Sequence, residues 1–485
     1  MTTHPHKWRI LTAVGMGIFL ATIDGSIVNV ALPTLVRELH TNFATVQWIP
    51  LAYLLTLSTV LLSMGRLGDM IGKKRVYVSG FVLFTLSSML CGLAPGVYWL
   101  IGFRVLQAIG AAMTQALGIA IVTEAFPPAE RGKALGVAGG LVSLGVVAGP
   151  TLGGLILDAF SWRWIFFVNL PIGILGILMT LRYVPHTTAV RAQRFDYAGA
   201  AVLFGGLLAL LLALTLGQQW GFADRRIWLL SGMAALLLVG FIITEQRVTQ
   251  PMINLNLFRN ELFNINLLTG LLTFIAVAGV FVLLPFYLEN MMGYGPRQVG
   301  LLIAAVPVLM GITAPISGAL SDRYGTRPIA TIGLAVLVAG YLAMSRLTLA
   351  TSLPVYVLAV LPFGAGMGIF QSPNNSAVMG SVPPPQLGVT SGLLAMTRNL
   401  GQTVGIATMG TIWAGRVMAH VGGAVSGGVT AAPITAQIAG LQDTFRIIAA
   451  LVSAAFFLSA YGMVKAGREG RRKKEEGREV KDEVV

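Results

Sequence analysis

The sequence predicts an all-α polytopic membrane protein with fourteen transmembrane helices, and three observations carry that reading. Hydrophobic residues make up 55% of the 485-residue chain and charged residues only 11%, less than half the roughly 25% of soluble domains. Mean hydropathy is +0.78. Apolar segments near the length of a bilayer span, roughly 20 residues, recur along the whole chain with short charged loops between them. What they leave suffices for loops and a tail, which excludes a sizeable soluble domain.

In order, the expected spans cover residues 9–32, 46–64, 76–94, 98–125, 134–157, 162–181, 196–216, 227–244, 262–288, 298–317, 328–346, 354–372, 387–413 and 443–465. The start HPHKWR followed by apolar residues has the outline of a secretion signal. Its apolar stretch is too long and lacks a clean small-residue cleavage site, so it reads as the first helix. With the N-terminus in the cytoplasm, basic residues such as Lys73, Lys74, Arg75, Arg131, Lys133, Arg191, Arg194 and those from Lys465 onward fall inside. Fewer, Arg37 and Arg163 among them, fall outside, the bias that orients membrane proteins. An even helix count puts the C-terminus inside as well. The net charge of +14 is thereby read as orientation and not as affinity for nucleic acid. Trp48, Trp99, Trp162, Trp164, Trp220, Trp228 and Trp413 fall near the outer ends, where amphipathic rings suit the interface. The single cysteine, Cys91, excludes an internal disulfide framework and reads as a small packed hydrophobe.

An internal repeat organises the spans. GRLGDMIGKKR (65–75) returns in reduced form as GALSDRYGTRP (318–328), each after a helix running inward. One six-helix unit then covers residues 1–185 and another 251–465, with an inserted helix pair at 186–250 and a charged tail at 466–485. The tail, AGREGRRKKEEGREVKDEVV, reads as lacking fixed structure. Repeats of this kind mark transporters, whose substrate site lies between the halves near the midplane. In the first loop Gly65 and Gly72 supply a tight turn. Asp69 sits ahead of the next helix, where negative charge suits an N-terminus, and Asp322 is its counterpart in the second copy.

These motifs give the chain a family resemblance. The 65–75 loop resembles the signature of the major facilitator superfamily, although Met70 stands where that loop has a basic residue. GVVAGPTLGG (145–154) resembles a motif of the superfamily's drug antiporters. LATIDGSIVNVALP in helix 1 and WRWIFFVNLP at the start of helix 6 resemble its fourteen-helix drug:proton antiporter branch. The likeness runs to about residue 465. It implies a major facilitator fold of two six-helix bundles plus two inserted helices, and a proton-coupled exporter in the cell membrane. The expected substrates are hydrophobic, cationic drugs or dyes; the alternative is one specific metabolite, such as a lipid precursor, antibiotic or siderophore. The expected partners are that small molecule, protons and the lipid bilayer, with the chain acting as a monomer.

The candidate site residues follow from charge in hydrocarbon. Asp24 is an acid inside an apolar helix, a position that costs several kcal/mol unless the group is paired or protonated. Arg104, inside helix 4, is its candidate partner. Counting residues from the outer helix ends at 1.5 Å each places the two within about 5 Å in depth. The resemblance implies that their helices are neighbours and that the arginine serves proton coupling. Asp24, Gln107, Tyr53, Phe274, Arg398 and Glu289 are the expected substrate contacts, with Glu289 also a candidate for entry or gating at the outer mouth. Arg398 has no deep acid in its own half to pair with. Asn169, Gln115, Asn374 and similar residues read as interhelical hydrogen bonders.

Gly145, Gly149, Gly153 and Gly154 cut a groove that lets a neighbouring helix approach, and Pro150 kinks the helix. The resemblance ties this motif to export. With Gly65, Asp69, Gly72, Arg75, Arg131 and Asp322 these form the expected conformational set, Arg131 bracing the Asp69 loop. The sequence shows no metal-ligand cluster among its five histidines, no G-x-x-x-x-G-K-[ST] loop and no G-x-S-x-G elbow. It therefore reads as neither an enzyme nor an ATP-driven pump, and as needing no cofactor.

Overall fold

The computed structural model describes residues 6–127, 131–185, 197–220, 224–247, 255–382, 387–423, 425 and 428–482. For some helical residues, Asp69, Arg131 and Asp322 among them, it describes the backbone alone. Every regular element among the described residues is helical. In chain order they are α1 (Lys7–Glu38), α2 (Phe43–Val46), α3 (Trp48–Ile71), α4 (Lys73–Gly92), α5 (Val97–Ala125), α6 (Arg131–Ala159), α7 (Trp164–Phe167) and α8 (Asn169–Tyr183). There follow α9 (Tyr197–Trp220), α10 (Arg225–Arg247), α11 (Glu261–Phe286), α12 (Pro296–Tyr324), α13 (Thr326–Met344), α14 (Leu353–Met379), α15 (Leu387–Val421) and α16 (Ile434–Asp482). Helices are what hydrocarbon demands, since each satisfies its own backbone groups.

Each of the fourteen expected spans falls on a helix. Among the described residues, eleven helical segments are long and apolar enough to cross a membrane. Shorter apolar stretches lie in α6 (Leu144–Ala159) and α9 (Gly199–Leu214). α15, interrupted by Arg398, Asn399 and Gln402, is not among the eleven.

α1 packs on α5, α6 and α8, while α3 and α4 pack on α5. In the second half α11 packs on α15 and α16, α12 on α14, and α13 on α14 and α16. α9 and α10, where the sequence analysis expects an inserted pair, lie mainly against each other. α9 also reaches α3 and α15, and Leu203 and Leu207 meet Met396 there in a small apolar cluster. Much of α10 is exposed, with Trp228 at 70% and Leu236 at 73%, as suits a helix facing lipid.

The repeat has a structural counterpart. Gly72 ends α3 at φ 101° and Gly325 ends α12 at φ 90°, and each N–H bonds back to the carbonyl four residues earlier, Gly68 and Ser321. A side chain is strained at that φ, so both turns need glycine. Gly65 is not part of the turn as the sequence reading had it. It lies inside α3 with room for a Cβ, 3.8 Å from that of Ala116. The close-packed glycine is Gly68, whose Cβ would stand 2.3 Å from Leu117 Cδ2. Lys73 pairs with Glu124 and Lys74 Nζ donates to Leu181 O at 2.7 Å, tying the turn to the ends of α5 and α8. Arg75 is exposed. The bracing expected of Asp69, Arg131 and Asp322 depends on side chains outside the described set.

Two other expectations change. The tail continues α16 as helix to Asp482, since its Glu, Lys and Arg residues are strong helix formers. The tryptophans divide: Trp99, Trp164 and Trp228 are exposed, but Trp162 and Trp413 are buried at 2% and 0%. These last two are packing residues and not interface anchors.

Candidate functional site

Asp24 lies on α1, wholly buried. Its Oδ2 receives Arg104 Nη1 of α5 at 2.5 Å. Its Oδ1 accepts from Gln107 Nε2 at 2.9 Å and from Asn169 Nδ2 of α8 at 3.0 Å. Gln107 follows Arg104 by three residues, so both reach the same side of α5, and Arg104 Nη1 also donates to Gln107 Oε1 at 2.7 Å. Asn169 Nδ2 donates to Ser88 Oγ at 3.0 Å, and Ser88 Oγ in turn donates to Phe166 O at 2.9 Å. The Arg104 guanidinium lies 4.1 Å from the Tyr53 ring centroid, a cation–π contact that strengthens away from water. Cys91 completes the set, its thiol facing Gln107 Oε1 at 3.7 Å.

The carboxylate is therefore neutralised by one guanidinium and held by two amides, all from its own bundle. A buried ion pair persists only with good geometry and further hydrogen bonds; both carboxylate oxygens are bonded here, while Arg104 Nε and Asn169 Oδ1 are buried without partners.

The glycines of α6 set how α1 lies beside that network. A Cβ on Gly145 would meet Thr22, one on Gly149 would meet Ser26 Oγ at 1.8 Å, and one on Gly153 would meet Ile27. Ser26 Oγ donates to Gly145 O at 3.2 Å. Gly154 faces the other way. Its Cβ would stand 2.5 Å from Pro296 O, and a Cβ on Gly300 of α12 would stand 2.2 Å from Pro150 O. Backbone meets backbone there, between the bundles.

The same end of the molecule is closed by three further contacts. Arg37 Nη2 meets Glu289 Oε1 at 2.5 Å, and Thr34 Oγ1 donates to the same oxygen at 3.3 Å. Glu289 sits in a π-helical turn, Tyr287–Met291, that extends α11; such turns often mark functional positions. Phe43, Phe286 and Trp413 form an edge-to-face cluster at 4.8 and 5.0 Å. Gln47 Nε2 donates to Ile406 O at 3.5 Å.

Of the expected site residues, the structure brings together Asp24, Arg104, Gln107 and Tyr53. Phe274 packs elsewhere, against Gly401 of α15. Arg398 is half-buried on α15, and Glu289 is part of the closed end. Asn169 is the interhelical hydrogen bonder expected of it, and the structure supplies its partners, Asp24 and Ser88. Arg37 looked like an ordinary loop charge. Glu245 of α10, one residue past the expected span, is also buried, at 3%.

Packed apolar helices, a glycine turn repeated after α3 and α12, and a buried acid–guanidinium pair fit a membrane transporter with an internal repeat. The chain belongs to the major facilitator superfamily, in the branch that holds its drug-efflux members: residues 14–406 match the family model described as Major Facilitator Superfamily. It is 35% identical over 410 residues to the riboflavin transporter RibZ of Clostridioides difficile, covering 84% of this chain and 88% of that protein. It is 35% identical over 405 residues to the multidrug resistance protein Stp of Mycobacterium tuberculosis (83% and 75% covered). The tetracenomycin C resistance and export protein of Streptomyces glaucescens is 30% identical over 412 residues (84% and 76% covered). Among solved structures, an inward-facing, unoccupied bacterial homologue of the lysosomal transporter Spinster superposes with a TM-score of 0.68 at 16% identity, over 96% of this chain and 99% of that one. That likeness speaks for the fold alone. The protein is a transporter and not an enzyme.

Proposed function

We propose that this protein is a proton-coupled antiporter that exports hydrophobic drugs or dyes across the cytoplasmic membrane by alternating access. In this reading it works as a monomer of two six-helix units with α9–α10 inserted, both termini in the cytoplasm. The observation that carries it is the Asp24–Arg104 pair, a titratable group sequestered from water and linked to helix packing. The efflux proteins among its relatives support the export direction. The end closed by Arg37–Glu289 is then the outer face.

The cationic substrate was implied by the family resemblance, with Asp24 among its expected contacts. Sealed behind Arg104, Gln107 and Asn169, Asp24 serves the proton in this reading, and other residues set the substrate's charge. One proton moving through 100 mV supplies about 2.3 kcal/mol, or about a fifty-fold gradient of a neutral substrate. The relative named as a riboflavin transporter favours transport of a single metabolite, and the second reading is export of one such molecule.

The test is dye efflux from vesicles with an imposed pH gradient, wild type against Asp24→Asn. Coupling is expected to vanish in the variant. Undiminished proton-driven efflux from Asp24→Asn would remove Asp24 from the mechanism.

A further inference from the structure

On α15, Gly401 and Gly405 press on α11, where their Cβ atoms would meet Phe274 and Ile275. Ile406 and Gly410 face Gln47, just ahead of α3. At about 100° per residue, Arg398, Gln402, Met409 and Trp413 form one stripe between those two faces. Its upper end is Trp413, seated between Phe43 of the first half and Phe286 of the second. The stripe therefore points into the seam between the bundles and not toward lipid. Arg398 lies in it about one helical turn from Gly401, below the aromatic plug.

Among the described residues Arg398 has neither an ion-pair nor a hydrogen-bond partner. Its neighbour Asn399 is 3% exposed, and its Nδ2 has no acceptor. Buried donors without acceptors are rare, because each forfeits the hydrogen bonds it had in water. The acids nearest the seam are committed: Asp24 holds three donors, and Glu289 is held by Arg37. Among the described residues the seam thus offers open donors and a positive charge at Arg398 and Asn399, while its acids already hold cationic partners.

We propose that Arg398, with Asn399 and Gln402 beside it, binds an anionic group of the substrate, so that the exported molecules are hydrophobic organic anions: an apolar body carrying a carboxylate or similar acid. This rests on the exporter reading above and specifies its substrate class. Exchange of one inward proton for one outward monoanion moves two charges, so a membrane potential alone accelerates export. Exchange for a monocation is electroneutral.

The experiment uses two probes with the same apolar body, 1-pyrenebutyrate and its butyl-trimethylammonium counterpart. Binding to the purified full-length protein is followed by tryptophan quenching, and flux in proteoliposomes under a pH gradient, a potential, or both. The wild type is expected to bind the anion at least about tenfold more tightly than the cation, the scale of one charge-assisted contact. Arg398→Ala should erase that preference and Arg398→Lys restore much of it. Equal binding of both probes by the wild type, or an anion preference that survives in a folded Arg398→Ala protein, overturns the assignment. Proton-driven flux of the cation alone overturns it too while leaving the exporter reading intact. If neither probe moves under any gradient, the exporter reading fails, and the binding arm still decides the role of Arg398.

Discussion

Arg37 of α1 and Glu289 of the π turn beyond α11 form an ion pair that spans the two halves of the protein, with unequal burial: the arginine side chain is 56% exposed and the glutamate 3%. The glutamate's second oxygen, Oε2, is buried without a partner. Nearly all of the desolvation in this pair therefore falls on the carboxylate.

That asymmetry orders two substitutions. Arg37→Ala strands a buried carboxylate and should loosen the closed end by about 2–3 kcal/mol. Glu289→Gln leaves an arginine that water can solvate and should cost about 1 kcal/mol or less. With Thr34→Cys as reporter in a Cys91→Ser background, an impermeant maleimide should label fastest in Arg37→Ala. Identical labelling rates in both variants and the parent would show that the pair does not hold the end shut.

The Asp24 network predicts strong non-additivity. Arg104→Leu leaves an uncompensated buried charge and should destabilise by about 3–5 kcal/mol. Asp24→Asn strands the guanidinium instead. Their combination should cost clearly less than the two single costs together, because neither charge remains. Unfolding in detergent measures the cycle, and efflux assays on the double variant separate lost coupling from lost folding.

The glycines of α6 and α12 predict a difference in kind. Gly300→Ala drives a methyl toward a backbone carbonyl, Pro150 O, which cannot rotate away. It should prop the bundles apart and abolish transport while the protein still inserts. Gly153→Ala meets the Ile27 side chain at 2.8 Å, which can shift, and should retain most activity. Pro150→Leu is expected to lose efflux without losing insertion. Normal efflux by Gly300→Ala would mean the α6–α12 contact is not needed for the cycle.

A pH effect is expected at the start of α10, outside its apolar span. Asp224 accepts from the side chain and backbone N–H of Arg226, which hold its carboxyl at about 2. The shift is downward, so its stabilisation is complete above the unfolded value near 4. It fades as pH falls from there toward about 2. Asp224→Asn should therefore differ from the parent by a constant amount between pH 7 and 5, with the difference closing below pH 4. As Arg226 is exposed and Asp224 only partly covered, the effect should weaken in high salt. A difference that changes between pH 7 and 5 would have another source.

Much of this protein was readable without coordinates, and the part that was not has a definite character. Hydropathy located every long helix because the bilayer imposes one length and one composition on each of them. The pairing of Asp24 with Arg104 was foreseeable because charges in hydrocarbon are few and must meet. Gly72 and Gly325 were marked by the repeat itself. The partner of Arg37 and the burial of Trp413 were not readable, for a common reason. In sequence, a charged or aromatic residue at a helix end looks the same whether it faces headgroups, water or the opposite bundle.

The sequence by itself determined that the chain is an α-helical membrane protein made of repeated halves, with an acid and an arginine at similar depth. Composition and periodicity are local properties, and they suffice for that. Only the tertiary structure decided that Asn169 completes the Asp24 shell and that Gly154 faces Gly300 and not α1. It alone decided that Glu289 pairs with Arg37 and that Arg398 has no partner among the described residues. Each of these depends on which helix face meets which neighbour. That is set by close packing between distant segments, and no single helix carries that information in its own residues.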